Sequence, residues 1–158
     1  MKKATLALII RDGKILLGRK QGSPEIGEGT LNGPGGKQEP GESLVECVIR
    51  ETREEIGVVL VEDRLEKIAI ITFYAAGEPS FEVHVYRTNW YRGAPRETKS
   101  MVPHWYPTSA IPWKRLLESD KRWMPRLIRG KTFNANVYYR EKAKGYLDIE
   151  FFPFEDHD

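Results

Sequence analysis

An α+β fold, with a mixed sheet and helices packed outside it, is predicted by the order of the elements along the chain. Apolar runs of strand length alternate with turn signals, and two stretches have helical periodicity. The predicted order is strands, one helix, more strands, a second helix and two strands, which is not a regular βαβ alternation. The length of 158 residues suits a single domain, residues 1–158, and we expect the acidic end, residues 153–158, to fray.

The N-terminal segment is predicted to form a hairpin followed by a loop. Residues 4–10 are apolar and rich in β-branched side chains, and Asp12-Gly13 is a hairpin turn signal before a second strand at 14–18. Residues 21–36 contain six glycines and two prolines, a composition typical of a loop.

A helix is predicted after this loop, because both of its ends carry recognisable signals. Ser43 is a candidate N-cap, and Glu46, three residues later, completes a capping box. The helix is expected to run to about residue 56 and to end at Gly57. At 100° per residue, the predicted core face consists of Val45, Ile49, Thr52 and Ile56.

The remainder of the chain is predicted to form strands and one further helix. This helix is expected at residues 121–129, capped by Ser119 or Asp120 and ended by Gly130. The predicted strands are residues 58–61, 67–74, 81–90, 105–106, 132–140 and 145–152.

Composition excludes some functions. A net charge of +2, from 25 basic and 23 acidic residues, gives no reason to expect a stable nucleic-acid partner, although a small phosphorylated ligand needs only a local basic site. The single cysteine, Cys47, allows no intrachain disulfide and favours a cytoplasmic location.

The apolar run at residues 4–10 is too short to cross a membrane. Whether the protein is a monomer or a homodimer is left open by the sequence.

The predicted helix places Glu51, Glu54 and Glu55 within one turn, beside its core face. Carboxylates at this spacing repel by a few tenths of a kcal/mol per pair, and the helix C-terminus disfavours them further. Arg50, one turn before Glu54, can pair with it. One interpretation of this acidic cluster is an ordinary solvated helix face.

The other interpretation is a site for a divalent cation and a phosphate chain. The preceding loop exposes backbone and carries Lys37 and another carboxylate, Glu42. Mg²⁺ prefers oxygen ligands and bridges protein carboxylates to substrate phosphates. Such a cation would cancel the repulsion among the three glutamates.

Gly36, Glu42 and the run RETREEIGV at residues 50–58 resemble the Nudix box. Thr52 stands where that family usually has an aliphatic residue. The resemblance implies an α/β/α sandwich that uses Mg²⁺, or Mn²⁺ in its place, to hydrolyse a nucleoside diphosphate linked to another group. Arg50 would steady the carboxylates and Lys37 would face phosphate. The implied metal ligands or water-orienting groups are Glu51, Glu54, Glu55 and a carbonyl of Gly35 or Gly36.

From about Thr5 to Leu147 the chain also resembles the Nudix enzymes that sanitise oxidised purine nucleoside triphosphates. This similarity implies hydrolysis of a substrate such as 8-oxo-dGTP to the monophosphate and pyrophosphate. The implied substrate-binding residues are Thr5, Lys20, Asn32, Gly35, Gly36, Lys37, Phe73, Leu117, Asp120 and Trp123.

Two departures from this pattern leave alternatives open. Residues 117–120 read Leu-Glu-Ser-Asp where the animal enzymes carry Trp-Pro-Asp-Asp, which puts the preference for an 8-oxo base in question. Ser100 replaces a glutamate ligand, and Glu97 is a candidate substitute. The alternative substrates are a dinucleoside polyphosphate, a nucleotide sugar and an RNA 5′ end. A domain that senses nucleotides without catalysis is a third possibility.

Overall fold

The computed structural model describes residues 1–22 and 29–158, and a mixed β-sheet runs through most of them. The helices are α1 (Leu44–Ile56) and α2 (Asp120–Ile128), and 3₁₀ turns occur at Glu62–Arg64 and Trp113–Arg115. The strands in the described residues are β1 (Lys2–Arg11), β2 (Lys14–Lys20), β3 (Leu31–Asn32), β4 (Gly35–Lys37), β5 (Val59–Leu60), β6 (Glu66–Ala75), β7 (Glu78–Thr88), β8 (Tyr91–Arg92), β9 (Met101–Pro107), β10 (Phe133–Glu141) and β11 (Lys144–Phe152).

The large sheet contains nine of the described strands in the order β11-β10-β6-β7-β1-β2-β3, with β4 beside β1 and β9 beside β2. The pairs β1–β7 and β6–β10 are parallel, whereas the other pairs are antiparallel. Strands β5 and β8 form a separate two-stranded sheet. The predicted α+β fold with a mixed sheet is therefore confirmed.

The two helices pack against opposite faces of this sheet, as strand β1 makes clear. Leu6 and Leu8 belong to a buried cluster that includes Met124 of α2. Ala7 and Ile9, which alternate with them and so point to the other face, belong to the cluster that contains α1. The α1 residues in that second cluster are Leu44, Val48 and Ile56. The result is the helix–sheet–helix layering expected from the sequence.

Both ends of α1 confirm the predicted signals. The amide of Glu46 donates to the Ser43 hydroxyl at 3.1 Å, and the amide of Ser43 donates to the Glu46 carboxylate at 2.8 Å. Gly57 has a φ of 76°, the left-handed conformation that ends a helix, and its amide donates to the Arg53 carbonyl.

The predicted core face of α1 is only partly correct. Thr52 and Ile56 are buried, but Val45 and Ile49 are half-buried, whereas Cys47 and Val48 are fully buried. The helix is rotated toward β1 and β4, since the Cys47 thiol lies 3.3 Å from the Thr5 hydroxyl. In the first half of the helix, the buried residues therefore lie about one position before the predicted ones: Leu44 and Val48 in place of Val45 and Ile49.

Most other elements agree with the sequence within a few residues, and β9 is the main exception. Asp12 and Gly13 both have positive φ, as a two-residue hairpin requires. The strand expected at residues 105–106 extends over Met101–Pro107, because Pro103 and Pro107 are tolerated in a strand that pairs with β2 alone. Of the predicted loop at 21–36, residues 23–28 lie outside the described part of the chain.

Residues 153–158, which the sequence analysis expects to fray, make contacts with the sheet. Asp158 pairs with Lys3 and Asp156 pairs with Lys67, each at 2.8 Å. The Glu155 carbonyl also accepts a hydrogen bond from the Asn134 side chain. These long-range contacts, which local composition does not reveal, hold the tail across the sheet. Among the described helices, α1 and α2 included, none has the length and apolar character needed to span a membrane.

Candidate functional site

Strand β4 lies close to both helix α1 and strand β1 at two successive glycines. A Cβ atom on Gly36 would lie 2.4 Å from the carboxyl carbon of Glu51. A Cβ atom on Gly35 would lie 2.0 Å from the Thr5 carbonyl oxygen. A side chain is therefore excluded at Gly35, where the clash is with backbone, whereas one at Gly36 would displace the Glu51 carboxylate; the loop backbone lies directly against a carboxylate of the predicted site.

Arg50 joins the acidic residues of this region into one network. Its guanidinium donates to both oxygens of Glu42, at 2.7 and 2.8 Å. Its Nη1 also donates to Glu51 at 2.9 Å and to Glu54 at 3.2 Å. Arg50 holds the pKa of Glu42 down at about 2. The pairing of Arg50 with Glu54 that the sequence predicted is therefore present, and the arginine also reduces the repulsion between Glu51 and Glu54.

Glu55 has a different environment from its neighbours. Its Oε1 accepts a hydrogen bond of 2.7 Å from the Gly35 amide, on the loop side of the helix. Burial raises the pKa of Glu55 to about 7, and the charges of Glu51 and Glu54 act in the same direction. Burial also raises the pKa of Glu51. By contrast, the side chain of Glu54 is 60% exposed.

These groups fit a hard divalent cation in their chemistry, because carboxylate oxygens line a space that a Cβ on Gly36 would fill. The structure brings Glu51 and Glu54 to one nitrogen of Arg50, while Glu55 is bonded to Gly35. Each of these hydrogen bonds engages one carboxylate oxygen, which leaves the other oxygen of each glutamate for a cation. The Gly36 carbonyl, another predicted ligand, lies 3.5 Å from the Cys47 thiol. Their roles as metal ligands remain predictions.

A cavity of about 230 Å³ adjoins this region on the α2 side of the sheet. All ten substrate-binding residues named from the sequence line it, so residues from five separate segments converge there. Further lining residues that the sequence analysis missed include Phe81, Tyr139 and Lys142. Lys37 and Lys142 lie 5.9 and 5.3 Å from the centre of the Phe81 ring, which makes this side of the cavity cationic. Phe81 lies in a strand that the sequence predicted, but the residues around it give no indication that it lines a cavity.

Two buried polar side chains of α2 also line the cavity. Asp120 is 2% exposed, and its Oδ2 accepts a hydrogen bond from the Leu117 amide at 3.1 Å. Burial raises the pKa of Asp120 to about 7, although the charge of Lys20 acts in the opposite direction. The indole nitrogen of Trp123 is buried without a hydrogen-bond partner among the described residues. A ligand with both donors and acceptors would satisfy these groups.

Ser119 has a structural role that the sequence did not indicate. Its amide donates to the Tyr139 hydroxyl at 3.0 Å, and that hydroxyl donates to the Ser119 side chain at 2.9 Å. Ser119 precedes α2 without capping it through its side chain. Tyr139 thus provides hydrogen-bond partners for the buried amide and hydroxyl of Ser119. In the pattern of the animal enzymes named in the sequence analysis, this position is an aspartate.

Asn32 and Glu97 both make local contacts. The Asn32 side-chain oxygen accepts from the Gly33 amide at 2.8 Å, so this residue shapes its turn and also lines the cavity. The Glu97 carboxylate accepts from the Gln21 side chain at 3.3 Å. Glu97 as a substitute for the missing ligand at Ser100 stays a prediction.

Asp120→Asn is expected to flatten the pH dependence of stability in metal-free protein. The pKa of Asp120 is 3.8 in the unfolded chain and about 7 in the folded protein. Between these two pH values, the folded state binds more protons at Asp120 than the unfolded state. The free energy of unfolding therefore falls as pH rises through this window, by at most roughly 1.4 kcal/mol per pH unit for one group. Urea unfolding at pH 5 and pH 8, with a chelator present, measures the slope. Asp63→Asn, at an exposed position, should retain the wild-type slope. An unchanged slope in Asp120→Asn would contradict the assignment.

The mixed sheet between two helices, with a glycine-lined strand against a carboxylate-bearing helix, defines the MutT class of folds. A MutT protein from Bacillus halodurans superimposes with a TM-score of 0.78 at 18% identity, covering 96% of this chain and 97% of that one. A MutT NUDIX hydrolase from Burkholderia pseudomallei has a TM-score of 0.62 at 30% identity, covering 70% and 86%.

The chain belongs to the NUDIX domain family, which matches residues 1–127. It is also similar to two proteins named oxidized purine nucleoside triphosphate hydrolase. The one from Danio rerio is 33% identical over 158 residues, covering 99% of this chain and 89% of the relative. The one from Mus musculus is 32% identical over 139 residues, covering 87% and 86%. The resemblance inferred from the sequence is confirmed.

Proposed function

We propose that this protein hydrolyses oxidised purine nucleoside triphosphates, such as 8-oxo-dGTP, to the monophosphate and pyrophosphate. One observation carries this proposal: the ten expected substrate-binding residues surround a single cavity, and that cavity adjoins the loop–helix carboxylate network. The similarity to two named oxidized purine nucleoside triphosphate hydrolases, over most of both chains, gives independent support.

The purine base is expected to lie against α2. Asp120 and Asn32 offer polar groups for the base edge, and Phe73, Leu117 and Trp123 offer apolar surface for its faces. Because Asp120 is buried with a raised pKa, its carboxyl can be held protonated and can donate as well as accept. The missing tryptophan at position 117 leaves less aromatic surface for stacking.

The triphosphate is expected to extend along β4 toward α1. Lys20 and Lys37 would face the phosphates, and Thr5 would contribute to the cavity wall. Glu51, Glu54, Glu55 and a carbonyl of Gly35 or Gly36 would hold Mg²⁺, with Mn²⁺ able to replace it. When bound, the ion neutralises phosphate charge and lowers the pKa of water. Arg50 keeps the carboxylates in position, and one of the glutamates accepts the proton of the attacking water.

We further propose that the chain forms one cytoplasmic domain, as a monomer or a homodimer, that acts in sanitation of the nucleotide pool. The near-neutral charge balance supports the absence of a stable nucleic-acid partner. The single cysteine supports a reducing compartment, and no membrane partner is proposed.

A hydrolysis screen with Mg²⁺ tests the substrate. We expect 8-oxo-dGTP to be cleaved with a kcat/KM at least about tenfold above that of dGTP, since a polar pocket discriminates by matched hydrogen bonds. The products should be the monophosphate and pyrophosphate, identified by ³¹P NMR and chromatography. The screen includes a dinucleoside polyphosphate, a nucleotide sugar and an NAD-capped RNA. The proposal fails if 8-oxo-dGTP is hydrolysed no faster than dGTP while one of these others is cleaved far better.

A further inference from the structure

A second group of ionisable side chains lies outside the carboxylate network of α1. Glu82 and His84 on β7 face Asp158 in the tail, and one ligand atom from each lies within 4.8 Å of the others. His157 adds a fourth group, with its Nε2 lying 3.5 Å from the second carboxylate oxygen of Glu82. Glu82 and His84 are 7% and 0% exposed, so half of this cluster is buried.

The sheet separates this cluster from the proposed substrate cavity. Phe81 and Val83 on β7 line the cavity, and Glu82 and His84 alternate with them along the same strand. Alternating side chains of a strand point to opposite faces. The cluster therefore lies on the α1 face, with the tail covering it, and the proposed reaction does not use it.

The spacing of the donor atoms suits a small tetrahedral ion. Zn²⁺ bound at 2.0–2.1 Å by nitrogen and oxygen places neighbouring ligand atoms about 3.3 Å apart in a tetrahedron. Here Glu82 lies 2.7 Å from the Nε2 of His84, which in turn lies 3.6 Å from Asp158. These two distances bracket the tetrahedral value. The Nε2 of His157 lies 3.5 Å from the other oxygen of Glu82, close enough for this exposed ring to turn inward as the fourth ligand.

We infer that Glu82, His84, His157 and Asp158 form a binding site for Zn²⁺ or a similar borderline transition-metal ion. Two imidazoles and two carboxylates are typical ligands of such ions, whereas Mg²⁺ prefers oxygen alone. Two carboxylates balance the charge of one divalent ion beside neutral imidazoles, which suits a partly buried site.

Two lysines near the cluster determine how the ion would bind. Lys3 donates to Asp158 and Lys67 donates to Asp156, so both stabilise the tail without metal. Binding exchanges Lys3 for the ion at Asp158, and Lys3, which has 38% of its side chain exposed, can turn into solvent. The ion thereby ties the tail directly to β7. This inference does not depend on the proposed hydrolytic activity.

Co²⁺ titration tests the site through its spectrum. In a Glu51→Gln/Glu54→Gln/Glu55→Gln protein, which lacks the carboxylates of α1, we expect one equivalent of Co²⁺ to give the intense visible absorption of a tetrahedral complex. Zn²⁺ should displace it, and calorimetry with Zn²⁺ should give the same stoichiometry. Addition of Zn²⁺ should also slow amide hydrogen exchange in residues 153–158.

Variants in the exposed part of the cluster avoid damage to the core. His157→Ala and Asp158→Asn, each made in that same background, should weaken Zn²⁺ binding by at least about tenfold, a loss that even indirect contacts to a metal can cause. Glu155→Gln is the matched control, because the backbone of Glu155, not its carboxylate, contacts Asn134. The inference is wrong if both tail variants bind Zn²⁺ like the background protein, or if the background protein gives only the weak spectrum of octahedral Co²⁺.

Discussion

Glu54→Gln is expected to lower kcat for the best triphosphate substrate by about 10²- to 10⁴-fold, the range for loss of a positioned proton-transfer or charge-stabilising group. The substitution preserves shape but removes the charge that would hold a cation or accept a proton. Stability should change little, by less than about 1 kcal/mol, because Glu54 is exposed and makes a single 3.2 Å contact with Arg50. Steady-state kinetics and urea unfolding measure the two effects separately.

Arg53→Gln is the control for this prediction, since Arg53 precedes Glu54 on the same helix and is exposed. It should retain near-wild-type kcat at saturating Mg²⁺. Undiminished turnover in Glu54→Gln would remove this residue from the catalytic site and would weaken the case for the whole carboxylate network.

Asp120→Asn is expected to reduce kcat/KM for the oxidised purine substrate by about 100-fold, equivalent to roughly 2.7 kcal/mol. Asp120 is buried in the cavity, so an amide that mismatches the base leaves polar groups unpaired there. Because the contact is with the base and not with the phosphates, the change should appear mainly in KM.

Glu118→Gln provides the matched control, because Glu118 is exposed two residues before Asp120. It should leave kcat/KM for 8-oxo-dGTP and dGTP unchanged. If Asp120→Asn hydrolyses both nucleotides at wild-type efficiency, Asp120 does not contact the base and the proposed orientation of the substrate is wrong.

Local signals account for the parts of the fold that the sequence predicted well. The Asp12-Gly13 turn, the capping box of Ser43 and the stop at Gly57 depend on residues within a few positions of each other. The features that were missed depend on distant partners. Residue 47 is buried because α1 packs against Thr5, and residues 156 and 158 form ion pairs with lysines of β1 and β6.

The candidate site divides in a similar way. The residues alone predicted a carboxylate cluster beside a glycine-rich loop, and Gly36 does lie against Glu51. The cavity residues were named only through resemblance to a family, because nothing local to Phe73 or Trp123 indicates that they meet. Neither the residue pattern nor the family resemblance indicated the contact between Ser119 and Tyr139. It joins the residue before α2 to β10, 20 positions away along the chain.

The parallel pairing of β1 with β7 has a consequence for the order of folding during synthesis. Residues 2–9 of β1 are aligned with residues 81–88 of β7. Strand β1 therefore cannot pair with β7 until more than half of the chain has been synthesised. Strand β6 pairs with β7, which follows it directly, but its parallel partner is completed only with residues 133–139. Helix α1 is translated after β1, β2 and β4, but a nascent chain truncated after α1 still lacks β6 and β7, which form the centre of the large sheet.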